Sequence, residues 1–449
     1  MLLTRNGCRG PGSRDAVEVP REAMTMGARR RWVLLFVALA GCASPATTRD
    51  AAPRTEEIAP RFAAGGPDAE VYGAANGYPI GDRTTYFRIP SLVGSHSHLD
   101  EVLEGRLIRK APVPSRLERV AEPEILWQFQ GLELTLDDYF ARNPATGLLI
   151  ARGDTVFVER YQYGRTDRDR FTSWSMAKTV TSMLIGVAIA DGRIRSVDDP
   201  VATYVPALAD AEYGRTSIRH LLQMSSGVRF SEVYSGTDDV STLAASTFMQ
   251  RGGGGVNAVI PFNERVVPAG TRFSYASVET QVLGLVLKAA IGRTVSDYLQ
   301  EKIWQPIGAE ADATWLIDTS GQEATYCCLN VVLRDYARLG LLLAHDGNWR
   351  GRQLIPAAWI HDATTKQAGQ AHLWPGIATP YFGYGYQTWF FPGERRMFAF
   401  LGVRGQSIFV DPHSRLVMVH TAVRKQPGND PGNREANALW QAVVRQFGG

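Results

Sequence analysis

The sequence contains little cysteine. Only four of its 449 residues are Cys, namely Cys8, Cys42, Cys327 and Cys328. Their spacing matches neither a disulfide framework nor a zinc site. The adjacent Cys327 and Cys328 are compatible with a vicinal bridge in an oxidising compartment, but the favoured interpretation is two small, buried, reduced thiols.

A strong excess of charge of one sign is also absent. The formal net charge is +3, of which residues 1–41 contribute +4, so the rest of the chain carries about −1. A chain with this balance has no electrostatic reason to bind nucleic acid, and no such partner is expected.

Motifs for several other chemistries are missing. The sequence has no G-x-S-x-G, the motif by which α/β-hydrolases present a serine nucleophile. The run RGGGGVN at 251–257 lacks the lysine and the following helix of a phosphate-binding loop. His96 and His98 have no clear third partner for a metal, so we expect neither a metal nor a cofactor.

The N-terminal apolar run is too short to span a bilayer. Arg29, Arg30 and Arg31 precede the run Trp32 to Leu39, a pattern that predicts a removable export signal. The following LAGC resembles the bacterial lipoprotein signal, which implies lipidation of Cys42 and attachment to the cell envelope, facing the periplasm, most simply at the outer membrane. An ordinary secretory signal is the alternative. Nothing before Met24 or Met26 fits such a signal, so we expect translation to begin at one of them.

Composition divides the chain into four parts. Residues 1–41 hold an N-terminal extension and the signal, and residues 42–70, rich in Ala, Pro, Thr and charge, predict a flexible tether. Residues 71–119 have short apolar patches interrupted by Pro and Gly, and we expect them to pack on the main domain, residues 120–449.

Strand patterns lie at both ends of the main domain. The segment 147–164 has two β-rich runs around Gly153-Asp154, and the segment 406–423 has a turn beginning at Asp411-Pro412. The sequence between them is largely helical, with one helix stopping at Gly292. The two ends are therefore predicted to pair in one antiparallel sheet flanked by helices, with a mostly helical region inserted, an α/β (α+β) fold.

One lysine stands in the apolar segment FTSWSMAKTVTSML. Lys178 follows Ser175 by three residues, so the two side chains share one face of a helix and can touch. Partial burial would lower the pKa of the lysine, and the free N–H groups of the first helical turn would favour negative charge at the serine. These residues together can form an activated nucleophile without histidine, although S-x-x-K alone is a weak signal.

The surrounding sequence strengthens this interpretation. The segment from Phe171 through ADGRIRSVDDP, and the later PAGTRFSYASVETQVLG, resemble the serine β-lactamase and penicillin-binding-protein superfamily. The resemblance covers about residues 120–449, and it is greatest to β-lactamase-related esterases and 6-aminohexanoate-dimer hydrolases. It implies a β-lactamase-like fold and hydrolysis through an acyl-enzyme.

The resemblance also implies roles for individual residues. Ser175 matches the nucleophile, Lys178 its hydrogen-bonded lysine, and Tyr275 the tyrosine that serves with the lysine as general base and then general acid. Gly405 in GVRGQS matches the glycine of the third motif, on an edge strand beside the nucleophile. The oxyanion hole is then formed by the backbone N–H groups of Ser175 and Gln406.

Two departures from the superfamily pattern affect the expected substrate. Ser277 stands where β-lactamases usually have Asn, and a serine at this position is a feature that the 6-aminohexanoate-dimer hydrolases share. In the third motif, Val403 cannot anchor the carboxylate of a β-lactam. Tyr234 lies where that group has substrate-contacting residues, although a structural tyrosine is a close alternative. We therefore expect a small-molecule ester or linear amide as substrate.

Two alternatives remain open. The first is a β-lactamase or D-amino-acid peptidase of the same superfamily, and the second is an inactive envelope protein that keeps the fold for binding. The sequence does not indicate an oligomeric state.

Overall fold

A computed structural model describes residues 58–449. The predicted signal, the lipidation candidate Cys42 and the first part of the predicted tether lie outside these residues. Within the described part, no helix is both long and apolar enough to cross a membrane.

Strands occur along the whole described chain. They are β1 (Arg61–Phe62), β2 (Gly105–Ile108), β3 (Glu118–Arg119), β4 (Trp127–Phe129), β5 (Leu132–Leu134), β6 (Ala145–Arg152), β7 (Thr155–Tyr161), β8 (Phe171–Thr172), β9 (Ala313–Leu316), β10 (Leu329–Val331), β11 (Asn348–Trp349), β12 (Arg352–Gln353), β13 (Gly383–Tyr384), β14 (Trp389–Phe390), β15 (Phe398–Gly402), β16 (Gln406–Asp411) and β17 (Leu416–Ala422).

The α-helices lie mainly between β8 and β15. They are α1 (Leu92–Ser97), α2 (Leu99–Val102), α3 (Leu136–Arg142), α4 (Met176–Ala190), α5 (Glu212–Arg215), α6 (Ile218–Leu222), α7 (Asp239–Phe248), α8 (Ser277–Ile291), α9 (Val295–Leu299), α10 (Leu333–Ala344), α11 (Ala357–Thr364) and α12 (Gly432–Phe447).

The largest sheet joins the two ends of the main domain. Its strand order is β1-β7-β6-β17-β16-β15-β14-β13, with β3 also paired to β7. β1 and β3 run parallel to β7, whereas β6 pairs antiparallel with both β7 and β17. The predicted antiparallel sheet from both chain ends is therefore confirmed, as are the hairpins that turn at Gly153-Asp154 and after Asp411.

Helices cover both faces of this sheet because its buried strands carry apolar residues on alternate positions. Leu149 and Ala151 of β6 belong to one apolar core, which also contains α10 residues such as Leu341. Leu148 and Ile150 of the same strand belong to a second core, which contains Trp440 and other residues of α12. The inserted helical region, including α4 and α8, extends from the first of these cores.

The predicted tether ends earlier than residue 70. β1 pairs with β7, and the N–H of Ala63 donates to the Tyr161 carbonyl at 2.9 Å. The ordered domain therefore includes residues from Arg61 onward. A strand of two residues carries no periodic pattern, which explains why composition alone placed the boundary too late. Residues 71–119 supply β2, which pairs with β9, and β3, which pairs with β7.

Candidate active site

Ser175 lies at the sharp turn that leads from β8 into α4. It is the N-cap residue of α4, and its side chain is partly exposed although Trp174 and Met176 beside it are buried. Trp174 has a φ of 42°, in the left-handed region that non-glycine residues rarely adopt. Ser173 fixes the turn, because its N–H donates to the Leu329 carbonyl at 2.8 Å and its Oγ accepts from the Leu329 N–H at 3.0 Å.

Lys178 makes the contact with Ser175 that the sequence predicts. Its Nζ donates to Ser175 Oγ at 2.8 Å and to the Tyr326 carbonyl at 3.0 Å, and the residue is only 1% exposed. Burial lowers the pKa of Lys178 from 10.5 to about 8, although the negative charge of Glu232 acts in the opposite direction. A neutral amine, able to accept a proton, is therefore accessible near neutral pH.

Tyr275 lies beside the same lysine. The Lys178 Nζ is 4.9 Å from the centre of the Tyr275 ring, which stacks on Trp389 with centroids 5.3 Å apart. Burial raises the pKa of the Tyr275 phenol well above its ordinary value of 10.0, the charge of Glu232 adds to this rise, and an interaction with Ser175 offsets part of it. The resting phenol is thus protonated and suited to donate a proton.

Gly405 and Gln406 do not take the positions that the sequence predicts. The space beside Gly405 is filled by Arg424, since a Cβ atom on Gly405 would lie 3.0 Å from its guanidinium carbon. Gln406 pairs with Gly402 across the β15–β16 hairpin, and its side-chain Nε2 donates to the Ala422 carbonyl at 2.6 Å. Gln406 therefore faces the sheet, although it also lines the cleft.

Gly402 is the glycine that lies against Ser175. A Cβ atom on Gly402 would lie 2.6 Å from the Ser173 carbonyl oxygen and 3.3 Å from the Ser175 nitrogen. Val403 follows Gly402 and is the first residue of a short 3-10 turn, Val403–Gly405. The hydrogen bonds of such a turn do not use the N–H of its first residue, here Val403. The geometry therefore favours the Val403 N–H, not that of Gln406, as the partner of the Ser175 N–H.

Arg404 explains why the sequence misplaced this motif. Its φ of 62° lies in the left-handed region, so Val403, Arg404 and Gly405 form a turn where an extended strand was expected. The Arg404 guanidinium lies 4.2 Å from the centre of the Phe87 ring and donates to the Arg424 carbonyl at 2.7 Å. These two contacts fix the position of the Arg404 side chain.

Ser277 and Tyr234 both bind Glu232, a residue that the sequence did not single out. The Ser277 N–H donates to Glu232 Oε2 at 2.7 Å, and the Ser277 hydroxyl donates to Oε1 at 2.8 Å. The Tyr234 hydroxyl donates to the same Oε1 at 2.7 Å. Tyr234 itself has a φ of 60°, a conformation held by Asp238, whose carboxylate accepts from the Tyr234 N–H.

Cys327 and Cys328 form a vicinal disulfide in the structure, which contradicts the favoured prediction of reduced thiols. The chain turns sharply here, with Cys328 at a φ of 66°. The indole N–H of Trp315 donates to the Cys327 carbonyl at 3.0 Å. Burial of two small residues is compatible with either state, and the sequence does not reveal this turn. The disulfide directly follows Tyr326, whose carbonyl binds Lys178.

The cleft around Ser175 has two lobes. Both are lined by Ser175, Tyr234 and Val403. The larger, which we call the aromatic lobe, has a volume of about 630 Å³ and is also lined by Tyr275, Phe382, Trp389, Leu401 and Arg434. The smaller, which we call the Glu232 lobe, has a volume of about 350 Å³ and is also lined by Arg83, Phe87, Trp174, Glu232, Ser277 and Phe248.

In the described part of the chain, His96 and His98 belong to no cluster of metal-ligating side chains. His96 is buried, and burial lowers its pKa to about 3. The Nδ1 of His98 is 3.1 Å from the Gly94 carbonyl oxygen. Among residues 58–449, no three His, Cys, Asp or Glu side chains are grouped so that they could hold a metal ion.

Three residues of the site are not identified by the sequence. Glu232 stands two residues before the candidate Tyr234, and this proximity was its only signal. Gly402 belongs to the same L-G-V-R-G stretch as Gly405, so the choice between the two glycines required the hairpin register. Tyr326 contributes a main-chain carbonyl, for which a side-chain pattern gives no signal.

Together these groups suit acyl transfer. A buried amine touches a serine hydroxyl, a protonated phenol lies beside both, and main-chain N–H groups of Ser175 and Val403 adjoin the same cleft. Such a set can activate a nucleophile, supply a proton to a leaving group and stabilise an oxyanion.

Comparison with known proteins agrees with this chemistry. The sequence model of the Beta-lactamase family matches residues 135–442. The chain is 26% identical over 351 residues to the 6-aminohexanoate-dimer hydrolase of Paenarthrobacter ureafaciens, an alignment that covers 76% of this chain and 88% of that protein.

Solved structures share the fold. A Bacillus anthracis protein provisionally named as a 6-aminohexanoate-dimer hydrolase superposes with a TM-score of 0.73 at 21% identity, covering 82% of this chain and 99% of that one. A family VIII carboxylesterase superposes with a TM-score of 0.53 at 18% identity, covering 68% and 93% of the two chains.

Proposed function

We infer the reaction from one premise: this chain belongs to the Beta-lactamase family and is a serine hydrolase. We propose that it hydrolyses small esters or linear amides through an acyl-enzyme on Ser175. The observation that carries this proposal is the 2.8 Å contact between Ser175 Oγ and the buried, easily deprotonated amine of Lys178.

In the proposed acylation step, neutral Lys178 takes the hydroxyl proton as Ser175 Oγ bonds to the substrate carbonyl carbon. Tyr275 donates its phenolic proton to the departing alcohol or amine and regains one from Lys178. The products are the free leaving group and an ester on Ser175. Water then attacks this ester by the reverse proton transfers, releasing the carboxylic acid and restoring the serine.

We propose that the oxyanion is held by the N–H groups of Ser175 and Val403. The sequence alone predicts Gln406 in place of Val403 as the second donor. The Ser175 N–H has no protein acceptor among the residues that the structure describes. Loss of one such donor commonly lowers the rate by about 100- to 1,000-fold.

The preference for simple esters or linear amides rests on the end of β15. With Gly402 beside the nucleophile, the two preceding residues are Phe400 and Leu401, and neither can bind a substrate carboxylate. The names of the relatives, a 6-aminohexanoate-dimer hydrolase and a carboxylesterase, support the same classes of substrate.

A second candidate is hydrolysis of β-lactams or D-amino-acid peptides. One observation favours it: Arg434 is an exposed cation that lines the aromatic lobe and offers a partner for a carboxylate. Rapid turnover of nitrocefin would support this candidate. An inactive binding protein, the third alternative, would show no turnover across a broad panel of esters, amides and β-lactams.

The proposed function is tested by Ser175→Ala. This variant should lose both labelling by a fluorophosphonate and hydrolysis of 4-nitrophenyl butyrate, while its thermal unfolding stays close to that of the wild type. Labelling of Ser175→Ala at full stoichiometry would contradict the assignment of the nucleophile.

We also propose that Cys42 is lipidated and holds the enzyme at the envelope, facing the periplasm. The LAGC motif supports this location. Metabolic labelling with a fatty acid, followed by membrane fractionation, tests it, since Cys42→Ser should lose both the label and the membrane association.

A further inference from the structure

Glu232 places a carboxylate in the smaller lobe of the cleft. Glu232 and Ser175 line this lobe together, so a substrate bound at Ser175 can extend to the carboxylate. Its oxygens accept three hydrogen bonds, two from Ser277 and one from the Tyr234 hydroxyl. Every one of these donors is neutral. A carboxylate has about four lone-pair sites, so one acceptor position remains for a ligand.

In the part of the chain that the structure describes, no cationic side chain binds this carboxylate directly. Among residues 58–449, no Lys, Arg or His forms an ion pair with Glu232. Its charge acts at the centre of the site, since it opposes the lowering of the Lys178 pKa by burial and adds to the rise of the Tyr275 pKa. The carboxylate is therefore a source of negative potential along the path of the substrate.

The rest of the lobe strengthens this potential. Phe87, Trp174 and Phe248 give it apolar walls, which screen charge poorly. The other charged side chain that lines it, Arg83, is exposed and donates to the Phe248 carbonyl at 3.3 Å. Arg83 is thus held at the protein surface and does not pair with Glu232.

We propose that Glu232 is a specificity-determining residue that makes the enzyme prefer esters or amides carrying a cationic group, such as an ammonium, in the Glu232 lobe, and disfavour those carrying an anion there. The proposal rests on the function proposed above. Glu232 also supports the start of α8 through the Ser277 N–H, but a neutral acceptor could do that equally well. The negative charge, which no ion pair neutralises among the described residues, is what bears on the substrate.

Matched substrates test the proposal in the full-length protein. One set varies the alcohol: butyrylcholine is cationic, 3,3-dimethylbutyl butyrate is its neutral isostere, and the butyrate ester of 3-hydroxypropanesulfonate is anionic. A second set varies the acyl chain of 4-nitrophenyl esters in the same way, with a trimethylammonio, an unsubstituted and a carboxylate terminus. Together the sets probe the lobe whichever half of the substrate enters it.

We expect kcat/KM for the cation to exceed that for the neutral isostere by about tenfold in one set, and the anion to be slower by a similar factor. Glu232→Gln should bring both ratios close to one, and added salt should lower them in the wild type only. Glu264→Gln is the matched control, because Glu264 is exposed and pairs with Arg229 outside the cleft.

The use of ratios separates a charge effect from structural damage. If Glu232→Gln merely displaced Ser277 or Tyr234, all substrates of a set would slow alike and the ratios would persist. Persistent ratios, or a wild type that does not distinguish cation from neutral isostere in either set, would overturn the proposal. Failure of the wild type to hydrolyse even the neutral esters would instead contradict the proposed function.

Discussion

Lys178 donates a hydrogen bond from Nζ to the main-chain oxygen of Tyr326, 3.0 Å away. Tyr326 immediately precedes the bridged pair Cys327 and Cys328, with Cys328 in a left-handed conformation. The disulfide therefore stabilises the turn that presents this carbonyl to the lysine. The orientation of Lys178, the candidate base, therefore depends on a disulfide that directly follows its hydrogen-bond acceptor, Tyr326.

This relationship predicts an effect of the disulfide on activity. Replacing both cysteines, Cys327→Ser with Cys328→Ser, should lower kcat by about tenfold, because small displacements of a catalytic group are costly. Alkylation by iodoacetamide in denaturant should label these cysteines only after reduction, as peptide mass analysis would show. Labelling without reduction would contradict the disulfide.

The burial of Lys178 predicts the pH dependence of the reaction. Its amine must be neutral to accept the Ser175 proton, so kcat/KM should rise with pH and level off above its pKa of about 8. The phenol of Tyr275 should remain protonated throughout this range, since its pKa is raised. Rates with a neutral ester from about pH 6 to pH 10 would measure the inflection. An inflection near the ordinary lysine value would contradict this assignment.

Glycine is required at Gly402 by its approach to Ser173 and Ser175. In Gly402→Ala, the new Cβ would meet the Ser173 carbonyl at 2.6 Å, displacing β15 from the nucleophile. We expect a loss of about 100-fold in kcat together with a lower Tm, because the atom that the new Cβ meets belongs to the main chain and the strand must shift. Gly65→Ala is a suitable control, since a Cβ there has no neighbour within 4 Å. Full activity of Gly402→Ala would show that the approach of Gly402 to Ser173 and Ser175 does not position the Val403 N–H for the reaction.

The proposed role of Tyr275 as proton donor predicts a dependence on the leaving group. In Tyr275→Phe, the stacking with Trp389 is kept and the phenolic proton is lost. An alkyl ester needs a proton on its departing oxygen more than a 4-nitrophenyl ester does, so its kcat should fall further, by about 100-fold or more. Equal losses for the two esters would indicate that Tyr275 acts only through position.

The sequence predicted the framework of the site better than its details. The contact between Ser175 and Lys178 is predictable because their spacing is local to one helix, and the sheet is predictable because its hairpins have clear turn signals. The resemblance assigns the glycine of the third motif to Gly405, because a motif in sequence does not show where a strand ends. That boundary is set by the left-handed turn at Arg404, which depends on tertiary contacts with Phe87 and Arg424.

Glu232 illustrates a second limit. Its significance comes from Ser277, 45 residues later in the chain, and from a cavity that only the folded protein has. Similarly, the sequence does not predict the short β1. Two residues can be held in a sheet by their partner strand, here β7, without a periodic pattern of their own.

The burial of Lys178, the candidate base, should also weaken the fold. Lowering its pKa from 10.5 to about 8 corresponds to about 3 kcal/mol of destabilisation at neutral pH, an upper value because Lys178 also gains two hydrogen bonds. Lys178→Met, of similar length and uncharged, should therefore raise Tm at pH 7 while abolishing activity.

The same variant has a distinctive pH signature. Between about pH 8 and 10.5 the unfolded wild-type chain binds more protons at Lys178 than the folded chain does, so wild-type stability gains from rising pH in this window. The Met variant lacks this gain, and its advantage should shrink from pH 7 to pH 10, as urea unfolding at several pH values would measure. An advantage that is absent at pH 7, or that does not change with pH, would mean that Lys178 is not the buried base of lowered pKa on which the proposed reaction depends.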